Sequence, residues 1–190
     1  MHQLFFVFLI VAVCLHGIQL HLPAMISDRN LSPQVSATVL SLQFAVSAIV
    51  RICAGFLVDR IFAPRIGAML FVLSALGAAT LVPVGDPLFY LVGAALIGVG
   101  AGAETDLLTY LASRYFGLKA VGQIFGLIFS AFMIGSALGP YLFGVGYDVF
   151  HSYWLNLTLA CAGLVLASIL LMRLPKFPAE FARQPGPSTH

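Results

Sequence analysis

Residues 4–22 read Leu-Phe-Phe-Val-Phe-Leu-Ile-Val-Ala-Val-Cys-Leu-His-Gly-Ile-Gln-Leu-His-Leu, a run without a single Asp, Glu, Lys or Arg. A helix rises about 1.5 Å per residue, so this run reaches across the roughly 30 Å of hydrocarbon in a bilayer. Helical winding also satisfies every backbone N–H and C=O inside the run, which lipid cannot do. The preceding Met1-His2-Gln3 lacks the positive region of a secretory leader, so the run reads as a true span.

The same ruler finds five more runs, at 34–57, 66–84, 88–111, 121–145 and 153–172. Composition agrees: 61% of residues are apolar and 8% charged, against about 25% charged in a soluble domain. A water-soluble fold is excluded, because its surface would be as apolar as its core. A net charge of +2 provides no basic field for nucleic acid. The breaks between runs are short and rich in turn residues, so consecutive helices should be antiparallel neighbours. The expected fold is all-α, a multi-pass transmembrane bundle of six helices. Residues 1–173 form one domain, and the Pro-rich polar stretch 174–190 is a disordered cytoplasmic tail.

Loop charge orients the bundle. Arg60 and Arg65 lie in the second break, Arg114 and Lys119 in the fourth, and Arg173, Lys176 and Arg183 in the tail; the odd-numbered breaks carry only Arg29. By the positive-inside rule both termini face the cytoplasm, with the plasma membrane as the expected site. Asn30-Leu31-Ser32, followed by Pro33, fits a glycosylation acceptor only weakly. Cys14, Cys53 and Cys161 show neither metal-ligand spacing nor an even disulfide count and read as packing residues. No cofactor or metal is expected.

Glycines four apart, at Gly98 and Gly102, Gly122 and Gly126, and Gly135 and Gly139, each mark a smooth strip where another helix can approach. The string Gly98-Val99-Gly100-Ala101-Gly102 is not a dinucleotide loop, since it lies inside a span. Arg51 stands roughly 12 Å along its helix from Asp59 and hence within the hydrocarbon. A guanidinium at that depth is costly unless paired or facing water, which makes it a functional candidate. Its fork geometry suits a carboxylate, although snorkelling or pairing with a structural acid is also open to it. Glu104 and Asp106 are about 200° apart around their helix, so they cannot share a face. His16 and His21 read as hydrogen-bonded residues near the outer end of the first helix, although either could titrate near neutral pH. Gln19, Gln43, Ser47 and Tyr141 are further candidates to line a cavity.

Gly55-Phe56-Leu57-Val58-Asp59-Arg60, followed by Arg65, resembles the signature loop between helices 2 and 3 of the major facilitator superfamily, which recurs between helices 8 and 9. Pro64 and a single distal basic residue depart from that pattern. The resemblance extends through Ala103-Glu104-Thr105-Asp106 to Ser113-Arg114-Tyr115-Phe116-Gly117. It continues through Gly135-Ser136-Ala137-Leu138-Gly139-Pro140, a Gly-Pro kink region, to Gly144-Val145-Gly146-Tyr147-Asp148. It implies that the six spans correspond to helices 7–12 of a twelve-helix transporter. In the family, Gly55, Asp59, Arg60 and Arg65 would form a cytoplasmic gate cluster. Glu104 and Asp106 would pair there with Arg60, Arg65 or Arg114, a proton-carrying role and simple helix-end solvation being the alternatives.

Arg51-Ile52-Cys53-Ala54-Gly55 is similar to the eighth helix of the monocarboxylate-transporter and oxalate/formate-exchanger branch, where the arginine binds substrate carboxylate. The run 121–145 has no second cation, which favours a monocarboxylate over a dicarboxylate. The resemblance thus implies a secondary transporter of a small organic anion, with a coupled proton or an exchanged anion, working by alternating access in the lipid bilayer. Such a site lies between two halves, so the partners expected are the solute and either a missing N-terminal half or a second copy of this chain. The chain is then a fragment or a half-transporter. The alternative is a non-transporting six-helix protein that regulates a membrane partner. A channel or enzyme is disfavoured by the lack of a repeated polar ring or a nucleophile motif.

Overall fold

The computed structural model describes residues 2–58, 60–82, 86–175 and 177, the side chains of 117–121 excepted. Among them there are helices and no strands: α1 His2–Ser27, α2 Pro33–Val58, α3 Ala63–Thr80, α4 Pro87–Phe150 and α5 Trp154–Met172. Two apolar stretches of α4, Pro87–Phe116 and Gly122–Phe150, bring the helices long and apolar enough to cross a membrane to six. The all-α six-helix bundle expected from the apolar runs is the fold observed.

The 64 residues of α4 would extend about 96 Å if straight. Yet Gly100 lies beside Leu15 of α1, and Gly139 lies beside Val13. The two arms of α4 therefore run along the same stretch of α1, and the chain reverses between them. Local chemistry sets the ends. Asp86 caps the first arm by accepting from the Leu88 N–H (2.9 Å), with Pro87 at the first helical position, where a missing N–H costs nothing. Pro64, which departs from the signature-loop pattern, sits likewise in the first turn of α3. His151 ends α4 in the left-handed region at φ 49°.

α1 touches α2, α4 and α5 and buries side chains along its whole length, from Leu4 to Ile26. α5 buries one stripe, Leu157, Ala160, Leu164, Ala167 and Leu171, at helical spacing. α2 buries only Val39, Gln43 and Ala54, while Phe44, Ile49, Ile52 and Phe56 stay exposed. Apolar exposure of this kind is tolerated in lipid, where helix association rests on close packing rather than on escape from water.

Glycine makes that close packing possible. A Cβ at Gly135 would meet the Leu9 carbonyl oxygen of α1 at 2.6 Å, and one at Gly139 would run into the Val13 carbonyl. Gly98 and Gly102 pack in the same way on α2, against the carbonyls of Gln43 and Ser47. Among the described residues nothing lies within 4 Å of a Cβ at Gly55, Gly122 or Gly126, so no described helix is packed tightly on those glycines. A seam absent from the glycine spacing joins α3 to the first arm of α4. There Gly77 faces Gly93, one glycine on each helix.

Ser74 tightens this seam. Its hydroxyl donates to the Leu96 carbonyl (2.9 Å) and accepts from the Gly100 N–H (2.9 Å), so it is inserted into one backbone bond of α4. Ser74→Ala is expected to cost about 1 kcal/mol, the scale of interhelical hydrogen bonds in membranes. Unfolding of the variant in mixed micelles by a denaturing detergent measures it.

Of the stretch 174–190 expected to be a disordered tail, residues 174, 175 and 177 are described. Leu174 and Phe177 pack on the core, and the Tyr115 hydroxyl donates to the Pro175 carbonyl (2.6 Å). Aromatic contacts hold this first part of the tail down. Residues 178–190, Asp59 and Lys176, and the side chain of Lys119, lie outside the described residues.

Candidate functional site

Four helical faces converge on a polar cavity of about 370 Å³. α1 contributes His16 and Gln19, α2 contributes Phe44, Ser47, Ala48 and Arg51, the first arm of α4 contributes Ala101, Glu104 and Thr105, and the second arm adds Phe132. The spacings are one or two helical turns on each element, so each helix presents a single face. Small side chains at Ser47, Ala48 and Ala101 leave the space between them.

The glycine seam positions the charges. Because Gly102 lies against the backbone of Ser47, the Arg51 side chain, one turn further along α2, reaches α4. Its Nε donates to the Gly102 carbonyl (3.5 Å) and stands 3.9 Å from Asp106 Oδ2. Both contacts use Nε, and Arg51 and Asp106 are each about half exposed; among the described residues no acid is hydrogen-bonded to the terminal amino groups of Arg51.

Glu104 is 4% exposed although it is ionisable. Its Oε1 lies 3.7 Å from His16 Nε2, and its Oε2 has no hydrogen-bond partner among the described residues. His16 Nδ1 donates to the Ala12 carbonyl (3.2 Å), and its ring packs edge-on to Phe132. With Nδ1 carrying a proton, the uncharged imidazole presents a bare Nε2 to the carboxyl group. One further proton can then sit on either partner, giving imidazole and carboxylic acid or imidazolium and carboxylate.

This arrangement differs from the pairing that the signature loop implies. Glu104 and Asp106 face His16 and Arg51, and no ion pair joins either acid to Arg60, Arg65 or Arg114 among the described residues. The reason is axial distance: Arg114 lies ten residues from Glu104, about 15 Å along the helix. Arg60 and Arg65 are exposed. Arg114 instead lies over the rings of Tyr110 (5.8 Å) and Phe177 (5.4 Å), and Phe177 also packs on Phe62 and Tyr115. Pro140, which lies inside α4, offers its carbonyl to His21 Nε2 (3.0 Å), while His21 Nδ1 accepts from the Tyr153 hydroxyl (3.3 Å).

The remaining candidates divide. Gln19 and Ser47 line the cavity, whereas Gln43 is buried on the seam with Gly98, and its amide has no partner among the described residues. Tyr141 is 66% exposed. His16 is at mid-span because α1 continues to Ser27, so the His16–Glu104 pair is a feature that the residue spacing did not show. Cys14, Cys53 and Cys161 are free thiols, and no group that could hold a metal ion is found among the described residues.

Residues 3–188 match the family model described as Major Facilitator Superfamily. No curated protein matches the chain.

Proposed function

The chain belongs to the major facilitator superfamily of membrane transporters of small solutes, and on that premise we propose that it moves a small organic anion, such as a monocarboxylate, by alternating access. The observation that carries this reading is Arg51, inside the apolar span α2, in a polar cavity and, among the described residues, held through Nε. Its two terminal amino groups offer a carboxylate parallel hydrogen bonds. An intramembrane charge kept without a tight protein partner is costly, which fits a site whose partner is the solute.

Proton coupling is part of the proposal, with the His16–Glu104 pair as the proton site. Its support is geometric, a buried carboxyl facing an imidazole nitrogen within the same cavity as Arg51. A second six-helix unit, either another segment or a second copy, would close the cavity. Residues 1–173 act as one domain in this reading, in the plasma membrane with both termini in the cytoplasm, as the Arg and Lys distribution favours. Gly55, Asp59, Arg60, Arg65, Asp106 and Arg114 remain the residues proposed for the cytoplasmic gate.

Arg51→Lys tests the assignment. Lysine keeps the charge but loses the two-pronged geometry. Loss of one charge-assisted hydrogen bond, about 1.5 kcal/mol, corresponds to roughly tenfold weaker uptake. The measurement is uptake of labelled benzoate into vesicles from expressing cells, corrected for empty vesicles and normalised to protein level. Unchanged uptake would remove the carboxylate site.

A further inference from the structure

A second chamber of about 450 Å³ adjoins the polar cavity and shares His16, Gln19 and Phe44 with it. Resting on the reading of Arg51 as the carboxylate anchor, we propose that the solute is an amphipathic monoanion whose carboxylate sits at Arg51 and whose apolar body fills this second chamber.

The chamber continues the cavity in one direction on three helices. On α1 the lining passes from His16 to Leu20 and Pro23, and on α2, which runs antiparallel, from Arg51 through Phe44 to Leu40. On the second arm of α4 it passes from Phe132 to Pro140. Eleven residues of α2 separate Arg51 from Leu40, so the combined space is about 16 Å long.

Polarity falls along that axis. The polar end holds Arg51, Glu104, Ser47 and Thr105; beyond the shared His16, Gln19 and Phe44, the far end is lined by Leu20, Pro23, Leu40 and Pro140, with Leu20 and Phe44 at its open side. Ser136 also lies there, but its hydroxyl is spent on the Phe132 carbonyl (2.8 Å). No Lys or Arg lines the far chamber among the described residues. A second carboxylate there would have no Lys or Arg to pair with, only His16, whose ring Nε2 already faces Glu104, which is unfavourable. A short hydrophilic anion would leave it unfilled. A monocarboxylate with an alkyl or aromatic body matches both ends.

A chain-length series decides the matter. The full chain in lipid nanodiscs is titrated calorimetrically with sodium n-alkanoates from acetate to decanoate, and Arg51→Gln nanodiscs are subtracted to remove partition into the bilayer. Each methylene buried in the chamber should raise the Arg51-dependent affinity about fourfold, the factor that corresponds to 0.8 kcal/mol. The rise should stop when the chamber is full. Leu40→Asn and, as a second variant, Phe44→Asn should each cut the octanoate-to-acetate affinity ratio severalfold. Arg51-dependent binding that is equal for all lengths, as expected if bilayer lipid already fills the chamber, overturns the amphipathic assignment and leaves the carboxylate site standing. No Arg51-dependent binding at any length overturns the carboxylate site, and this inference with it.

Discussion

Gly139→Val is expected to cost about 3 kcal/mol or more of stability, the upper range of overpacking penalties. For a chain of this length that is on the order of 10 °C in Tm. A Cβ at Gly139 runs into the Val13 carbonyl oxygen and comes within 2.9 Å of the Gly17 nitrogen. Both are backbone atoms of α1, so no side chain can swing aside to make room. The helices must separate along a seam that also includes Gly135 against Leu9 and Gly17 against the Phe143 ring. Without a hydrophobic force between helices in lipid, a separated seam has little else to hold it. α1 is the common neighbour of α2, α4 and α5 and carries His16, so the cavity is disturbed together with the fold. Gly126→Val is the control, because nothing lies within 4 Å of its Cβ, and its cost should stay within about 0.5 kcal/mol. Thermal unfolding of both variants in detergent, read by loss of monodisperse protein, measures the difference. Equal midpoints would mean that this crossing does not hold the bundle together.

The control also shows how far a glycine pattern can be read. Gly122–Gly126 and Gly135–Gly139 have the same spacing, yet among the described residues only the second pair packs against another helix. Spacing identifies a smooth face but not its partner. The Gly77–Gly93 contact could not be read from spacing at all, since its two members lie on different helices. The six spans were legible for a simpler reason: each is an apolar run as long as the bilayer is thick, and nothing else accounts for such runs. The ends were less legible. The first apolar run ends at Leu22, but α1 continues through Pro23 to Ser27, as transmembrane helices can when neighbouring groups satisfy the freed carbonyl. Those extra residues move His16 from an apparent helix end to mid-span. Arg51 was legible as a candidate because a charge inside an apolar run is conspicuous. Its neighbours across the cavity were not, because they depend on how α1, α2 and α4 cross.

Glu104→Gln should reduce uptake driven by a pH gradient to the level of empty vesicles, while exchange of internal for external labelled solute at equal pH persists. The substitution keeps the size and shape of a side chain that is 4% exposed, and removes only its capacity to gain and lose a proton. In the native pair His16 Nδ1 is committed to the Ala12 carbonyl, so the proton exchanged lies between Nε2 and Oε1. With glutamine in place, an amide N–H can donate to Nε2 permanently, and the site no longer alternates between loaded and empty. Exchange needs no net proton movement and depends on Arg51, which lines the same cavity and contacts Gly102 and Asp106 rather than His16. His16→Gln serves as the second variant: it leaves the carboxyl group but removes the facing base, so pH-driven uptake should fall with it. A structural defect would lower both modes together, and their separation is therefore the informative result. If Glu104→Gln accumulates solute down a proton gradient as the native chain does, the His16–Glu104 pair is not the coupling site.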